Sequence, residues 1–236
     1  MMNFGTDLDD WMKETPLHPD LEPFVRKGTV MGTMVHSPLV IQPLYSRDRC
    51  SQINGLYEQK LRHVEEAIKA GDFERAVMLH ERPYRFDALG IAVGQGLTVG
   101  TAEYWSVVGR VWIDSENIHE NFKAWRELWK GDATHRHHAM SDEDREAFSK
   151  LPDRIRVYRG YSMYGTKMGL SWSIERERAI WFAHRFAQQI EYSRHGGTVG
   201  CGYVAKENVL AYMGGRGESE IVIDPSHVEK WEYCEI

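Results

Sequence analysis

The sequence predicts an α+β protein, with a mostly helical N-terminal region followed by a strand-rich C-terminal region. Three observations carry this. Across residues 54–151, apolar residues recur at three- and four-residue spacing, the period of an amphipathic helix. From residue 152 onward, short apolar runs alternate with charged residues and are punctuated by glycine, as half-buried strands are. The composition supports a packed core, since 42% of the 236 residues are hydrophobic and there are 8 Trp, 11 Tyr and 8 Phe.

The length suits one large domain or two small ones. Composition divides the chain into an irregular segment (1–53), a helical region (54–151) and a strand-rich core (152–236), the last two forming one compact unit. A formal charge of -6 gives the whole molecule no electrostatic footprint of a nucleic-acid binder. Basic residues nevertheless outnumber acidic ones between Arg154 and Lys206. Cys50, Cys201 and Cys234 lie far apart with no CxxC, a pattern that suits a reducing compartment and argues against a disulfide scaffold or structural zinc. The first ten residues are acidic and lack a basic stretch followed by an apolar run. No segment approaches the roughly 18 consecutive apolar residues of a membrane span. A soluble, cytoplasmic protein with no membrane partner is expected.

Taken in order, prolines at 16, 19, 23, 38 and 43 break any long periodicity in the first segment, leaving room for a short strand or two in residues 25–45. Residues 56–69 read as a helix with Leu61, Val64, Ala67 and Ile68 on one face, ended by Gly71, and residues 73–82 as the next. The glycines of residues 86–96 lack the GK[ST] ending of a phosphate loop and point to close helix packing. Ser115 offers an N-cap for a helix over 116–130 with Ile118, Phe122, Trp125, Leu128 and Trp129 on one side. His135, His137 and His138 follow in a polar loop without a carboxylate or cysteine partner, so no metal is expected. Ser141 opens one more short helix in capping-box style. Strands are then expected over 154–160, 169–173, 198–206 and 209–213, on the run beginning at Glu220, and over 227–236. A helix over 174–190 should turn Ala179, Phe182, Ala183, Phe186 and Ile190 inward.

The functional signal lies in three of these strands. Residues 214–225 form a glycine-rich turn that delivers Glu218 and Glu220 onto an apolar strand. Side chains repeat every two residues along a strand, so the two carboxylates share a face while Ile221 and Ile223 enter the core. The earlier strands carry Tyr158-Arg159-Gly160 and Ser171-Trp172-Ser173. The order Arg, Ser-x-Ser, Glu-x-Glu, each on a strand, resembles the R-S-E class of toxin-like ADP-ribosyltransferases, which use NAD to transfer ADP-ribose. The resemblance covers about residues 150–236 and implies an ADP-ribosyltransferase-like split β-sandwich. Trp172 stands where the family pattern has Thr, and should be harmless if its side chain enters the core.

What the resemblance implies is a mono-ADP-ribosyltransferase with NAD as co-substrate. A guanidinium binds pyrophosphate through charge-assisted hydrogen bonds, which assigns Arg159 to that group. The backbone at Gly160 would hold the nicotinamide amide, and Ser171 and Ser173 would line the cofactor site. Loss of nicotinamide leaves positive charge on the ribose, which a preorganised carboxylate stabilises. Glu220 takes that role and binds the ribose 2′-hydroxyl, with Ser171 orienting it. Glu218 would accept the proton of the incoming nucleophile, and Glu at this position favours an arginine-like acceptor. The family's aromatic before this Glu is replaced by glycines, so target recognition falls to Tyr212, Arg216 and Glu218. Trp181 and Phe182 are read as core rather than as nicotinamide-stacking rings. A cytoplasmic enzyme of this type resembles a phage host modifier or an antiphage toxin with a neutralising antitoxin partner. The alternatives are ADP-ribosylation of RNA or DNA bases, using Arg154, Arg156, Arg176, Arg178 and Arg185; an NAD glycohydrolase; and a catalytically silent NAD-binding module.

Overall fold

The computed structural model describes residues 15–44, 49–115, 118–161, 167–185, 197–215, 217 and 219–234. The chain divides into two compact units, Met1–Leu97 and Thr98–Ile236. The boundary falls inside the helical region read from the sequence, so its later helices belong with the large sheet and its earlier ones do not.

The first unit is less irregular than its prolines suggested. Strands β1 (Val25–Thr29), β2 (Gly32–His36) and β3 (Ile41–Pro43) form an antiparallel sheet in that order. The prolines sit where the backbone tolerates them. Pro19 starts a 3-10 helix (Pro19–Phe24) that also contains Pro23, and Pro43 ends an edge strand. Helix α1 (Cys50–Lys69) begins earlier than expected and is followed by α2 (Phe73–Met78), capped by the Asp72 carboxylate, and α3 (Arg85–Gly94). Ile53 and Val64 of α1 pack with Leu21, Val35, Leu39 and Val40 into the core of this unit. A side chain on Gly90 or Gly94 would meet nothing within 4 Å. Those glycines therefore do not mark close helix packing.

The second unit opens with a helix that the sequence reading did not anticipate, α4 (Ala102–Asp114), capped by the Thr101 hydroxyl. Ser115 is its C-cap, not the start of the next helix; α5 (Phe122–Lys130) begins after Asn121. Close packing does occur at Gly109 of α4, where a Cβ would lie 2.0 Å from the Ala139 carbonyl oxygen. Helix α6 (Asp142–Ser149) starts at Ser141 as expected, its hydroxyl accepting from the Asp144 N–H.

The sheet of this unit contains β4 (Arg154–Tyr161), β5 (Ser171–Ser173), β6 (Thr198–Ala205), β7 (Val209–Met213), β8 (Glu220–Ile223) and β9 (Glu229–Cys234). Its six strands run antiparallel in the order β7-β8-β5-β4-β6-β9. Helix α7 (Arg176–His184) packs on it through Ala179 and Ala183, against Val199 and Tyr158. Phe186 and Ile190, expected on the inner face of this helix, lie outside the described residues. Trp172 is buried and donates its indole N–H to the Gly169 carbonyl oxygen at 2.7 Å, as a core position requires. Contrary to the unpaired cysteines expected from their spacing, Cys201 and Cys234 form a disulfide between the neighbouring strands β6 and β9, while Cys50 is buried and not part of it. Spacing along the chain says nothing about pairing across a sheet, and here the Cα atoms approach to 6.1 Å. No described helix is long and apolar enough to cross a membrane.

Candidate functional site

The three motif strands are neighbours. β8, β5 and β4 lie side by side in mid-sheet, and their register aligns Tyr158 with Ser173, Ser173 with Glu220, and Glu220 with Met213. Directly opposed residues of antiparallel strands share a face, so one row carries an aromatic ring, a hydroxyl and a carboxylate from three separate stretches of chain. Ser171 lies two residues from Ser173, on the same face, opposite Val222.

Arg159 sits one residue beyond this row. β4 and β5 pair at Tyr158 and Ser173. Arg159 Nη1 donates to the Ser171 carbonyl oxygen at 2.5 Å, and a Cβ on Gly169 would lie 2.3 Å from its Nη2. The missing side chain of Gly169 is what admits the guanidinium. Burial pushes the Arg159 pKa down to about 10, with the charges of Glu220 and Tyr161 acting in the opposite direction. The group remains a cation at neutral pH.

Gly160 is accounted for differently. A Cβ there would lie 1.7 Å from the Ala179 carbonyl oxygen, so the absent side chain admits helix α7. Ser173 is buried, and its hydroxyl accepts from the Glu175 N–H at 3.0 Å, at the residue just before the helix proper. Trp181 is not core; it is 48% exposed, edge-on to the Phe182 ring and beneath the Arg185 guanidinium.

Glu220 is held from two directions. Ser219, immediately before it, has φ 43°, a left-handed conformation unfavourable for a residue with a Cβ. The turn is tied down nonetheless. The Ser219 carbonyl accepts from the Ile174 N–H at 3.1 Å, and its hydroxyl donates to Glu175 Oε1 at 2.5 Å. On the other side Trp112 of α4 donates its indole N–H to Glu220 Oε1 at 3.0 Å. Sequence reasoning missed Trp112 because it missed the helix. The signal was present in Tyr104, Trp105, Val108, Val111 and Trp112, spaced three and four apart behind a threonine cap.

The strand is also gripped where it ends. Asp224, buried just past β8, accepts from Arg126 Nε at 2.7 Å and Nη2 at 2.9 Å, with Lys130 Nζ at 3.2 Å. Burial alone would raise its pKa, but the hydrogen bonds from Arg126, Ser226 and Lys130 hold it well below the ordinary carboxylate range.

Of the residues expected to recognise a target, Tyr212 is only 9% exposed and lines up with Ile221, on the face opposite Glu220. This corrects its assignment: strand alternation turns the ring away from the row that holds the carboxylate. Arg216 and Glu218 lie outside the described residues. Gly214 donates its N–H to buried Asp144 Oδ1 at 2.8 Å. Arg154 and Arg156 are partnered by Glu229 at 3.7 Å and Glu232 at 3.3 Å. The rings of His135, His137 and His138 lie against one another, and among the described residues no group of three His, Cys, Asp or Glu is placed to hold a metal ion.

No protein-family model, curated protein or solved structure matches the chain.

Proposed function

We propose that this chain is an NAD-dependent mono-ADP-ribosyltransferase, that its six-stranded sheet is an ADP-ribosyltransferase-like split β-sandwich, and that its acceptor is a protein side chain. The observation that carries the reading is the row of Tyr158, Ser173 and Glu220 on three adjacent strands, with Arg159 one residue past it. The strands that carry three motifs spread over some sixty residues are neighbours in the sheet, which is the arrangement a shared ligand needs.

The residues suit NAD chemically. A partly buried guanidinium whose pKa is lowered by desolvation gains from an arriving pyrophosphate, and Arg159 has that character. In this reading Arg159 binds the pyrophosphate, the backbone of Gly160 holds the nicotinamide amide, and Ser171 and Ser173 line the site. Glu220 accepts the ribose 2′-hydroxyl and stabilises positive charge on the ribose as nicotinamide leaves. Its carboxylate is already oriented by Trp112, so little reorganisation is needed during the reaction. Glu218 handles the acceptor. A protein acceptor is preferred to a nucleic acid because Arg154 and Arg156 are matched by Glu229 and Glu232, which offsets the basic surface a polyanion would need.

The test is incubation with NAD labelled on its adenylate phosphate and a cell lysate. Label is expected in protein, and Glu220→Gln should reduce its incorporation by about 10²- to 10⁴-fold, the usual range for a positioned acid-base group. Label in nucleic acid would reassign the acceptor, and free ADP-ribose alone would indicate hydrolysis. The enzyme reading is overturned by a wild-type protein that consumes no NAD.

A further inference from the structure

We propose that Trp112 is the positioning residue for the Glu220 carboxylate, and that the α4–α5 segment holds β8 at both ends. The catalytic consequence rests on the ADP-ribosyltransferase reading above; the holding contact does not.

An indole nitrogen can only donate, and a carboxylate only accepts when ionised, so the pair has one polarity. The hydrogen bond from Nε1 to Oε1 is 3.0 Å and joins residues 108 positions apart. Trp112 is 1% exposed and meets Trp125 edge-on at 5.0 Å and Trp129 edge-on at 5.5 Å. Rings packed on two sides do not rotate freely, so the direction of the N–H is set by the core. Glu220, by contrast, is a long side chain on the first residue of a strand, reached through a turn in a left-handed conformation. Its side chain has several rotatable bonds. The indole adds a fixed donor on the α4 side, which favours the rotamer in which Oε1 faces α4.

The contact is not explained by the indole's own need for an acceptor. Within the same aromatic cluster Trp105 Nε1 donates to the Asp132 backbone carbonyl at 3.1 Å. Trp129 Nε1 is buried with no hydrogen-bond partner among the described residues. The cluster thus tolerates an indole on a main-chain oxygen and even one unmet, and a buried carboxylate contact is not required to complete it. At the far end of β8 the bidentate pair of Arg126 with Asp224 repeats the arrangement from α5. Helices far upstream in the sequence therefore contact the residue that opens the strand and the residue that follows it. This gives residues 102–130 a task that the motifs of the sheet do not reveal.

The experiment pairs Trp112→Phe, which keeps the ring and removes the N–H, with Trp105→Phe, which removes an indole N–H elsewhere in the cluster. In NAD turnover, Trp112→Phe should lower kcat by about 10- to 100-fold with KM for NAD within about threefold, because a group positioned for the transition state is lost while binding is kept. Trp105→Phe should leave kcat unchanged. A purely structural role predicts equal effects of the two variants, and that result would overturn the proposal. A double-mutant cycle of Trp112→Phe with Glu220→Ala, read by urea unfolding, needs no activity. Coupling of about tenfold in the unfolding constant supports the holding contact, and coupling below about twofold sinks it. Should the wild type turn over no NAD, the proposed function falls while this cycle still decides the contact.

Discussion

At Gly160 and Gly169 a single methyl group separates two kinds of failure. A methyl on Gly160 would lie 1.7 Å from the Ala179 main-chain carbonyl, which can move only if helix α7 moves. Gly160→Ala is therefore expected to destabilise the protein by about 1–3 kcal/mol, measured by urea unfolding. A methyl on Gly169 meets instead the end of a flexible side chain, the Arg159 guanidinium, at 2.3 Å. Gly169→Ala should fold nearly as well as wild type but displace that group, weakening NAD binding about tenfold by calorimetry. Both glycines stand beside motif residues in the sequence. That one admits a helix and the other a guanidinium is a fact of packing that no spacing rule contains.

Element by element, the C-terminal strands were legible because alternation of apolar and charged residues survives burial on one face. The motifs were each expected on a strand, but that Tyr158, Ser173 and Glu220 fall in one row was decided by strand order and register. Helix α4 was harder to read, although its cap and spacing were in the sequence. It carries Tyr104, Trp105, Val107, Val108, Val111 and Trp112 in the core, so its periodicity is blurred by apolar residues on more than one side. Ser115 after Asp114 also imitates a helix start. Strand β8 links the more and less legible parts, because both its ends depend on α4 and α5. The substitution Asp224→Asn removes a buried carboxylate that accepts charged hydrogen bonds, and should destabilise by about 2 kcal/mol at neutral pH. The folded-state pKa of Asp224 lies below its unfolded value. Its stabilisation is thus fully present above about pH 4 and lost as pH falls toward the folded pKa. Urea midpoints of wild type and Asp224→Asn should accordingly differ clearly at pH 7, and the difference should begin to narrow only below about pH 4.

For the whole molecule, the cysteines gave a misleading picture and the unit boundary an incomplete one. Cys201 and Cys234 are 33 residues apart and read as unrelated, yet antiparallel pairing of β6 with β9 brings them together. Closing a loop of that length stabilises by about 3–4 kcal/mol in the chain-entropy description. Reduction with dithiothreitol, or Cys234→Ser, should lower the urea midpoint by a matching amount, and equal midpoints in both redox states would count against the bond. The units Met1–Leu97 and Thr98–Ile236 cut through a region of uniform helical composition, because composition records helix content and not which sheet a helix packs upon. By itself the sequence determined the α+β class and the strands from Arg154 onward, and it placed Arg159, Ser171, Ser173 and Glu220 on those strands. Local periodicity and residue type depend only on near neighbours along the chain, and near neighbours are what a sequence displays. Tertiary structure alone decided that Trp112 meets Glu220, that Tyr212 turns away from it, that Gly160 serves a helix and that two cysteines bond. Each of these is a contact across strands or between distant helices, set by register and packing.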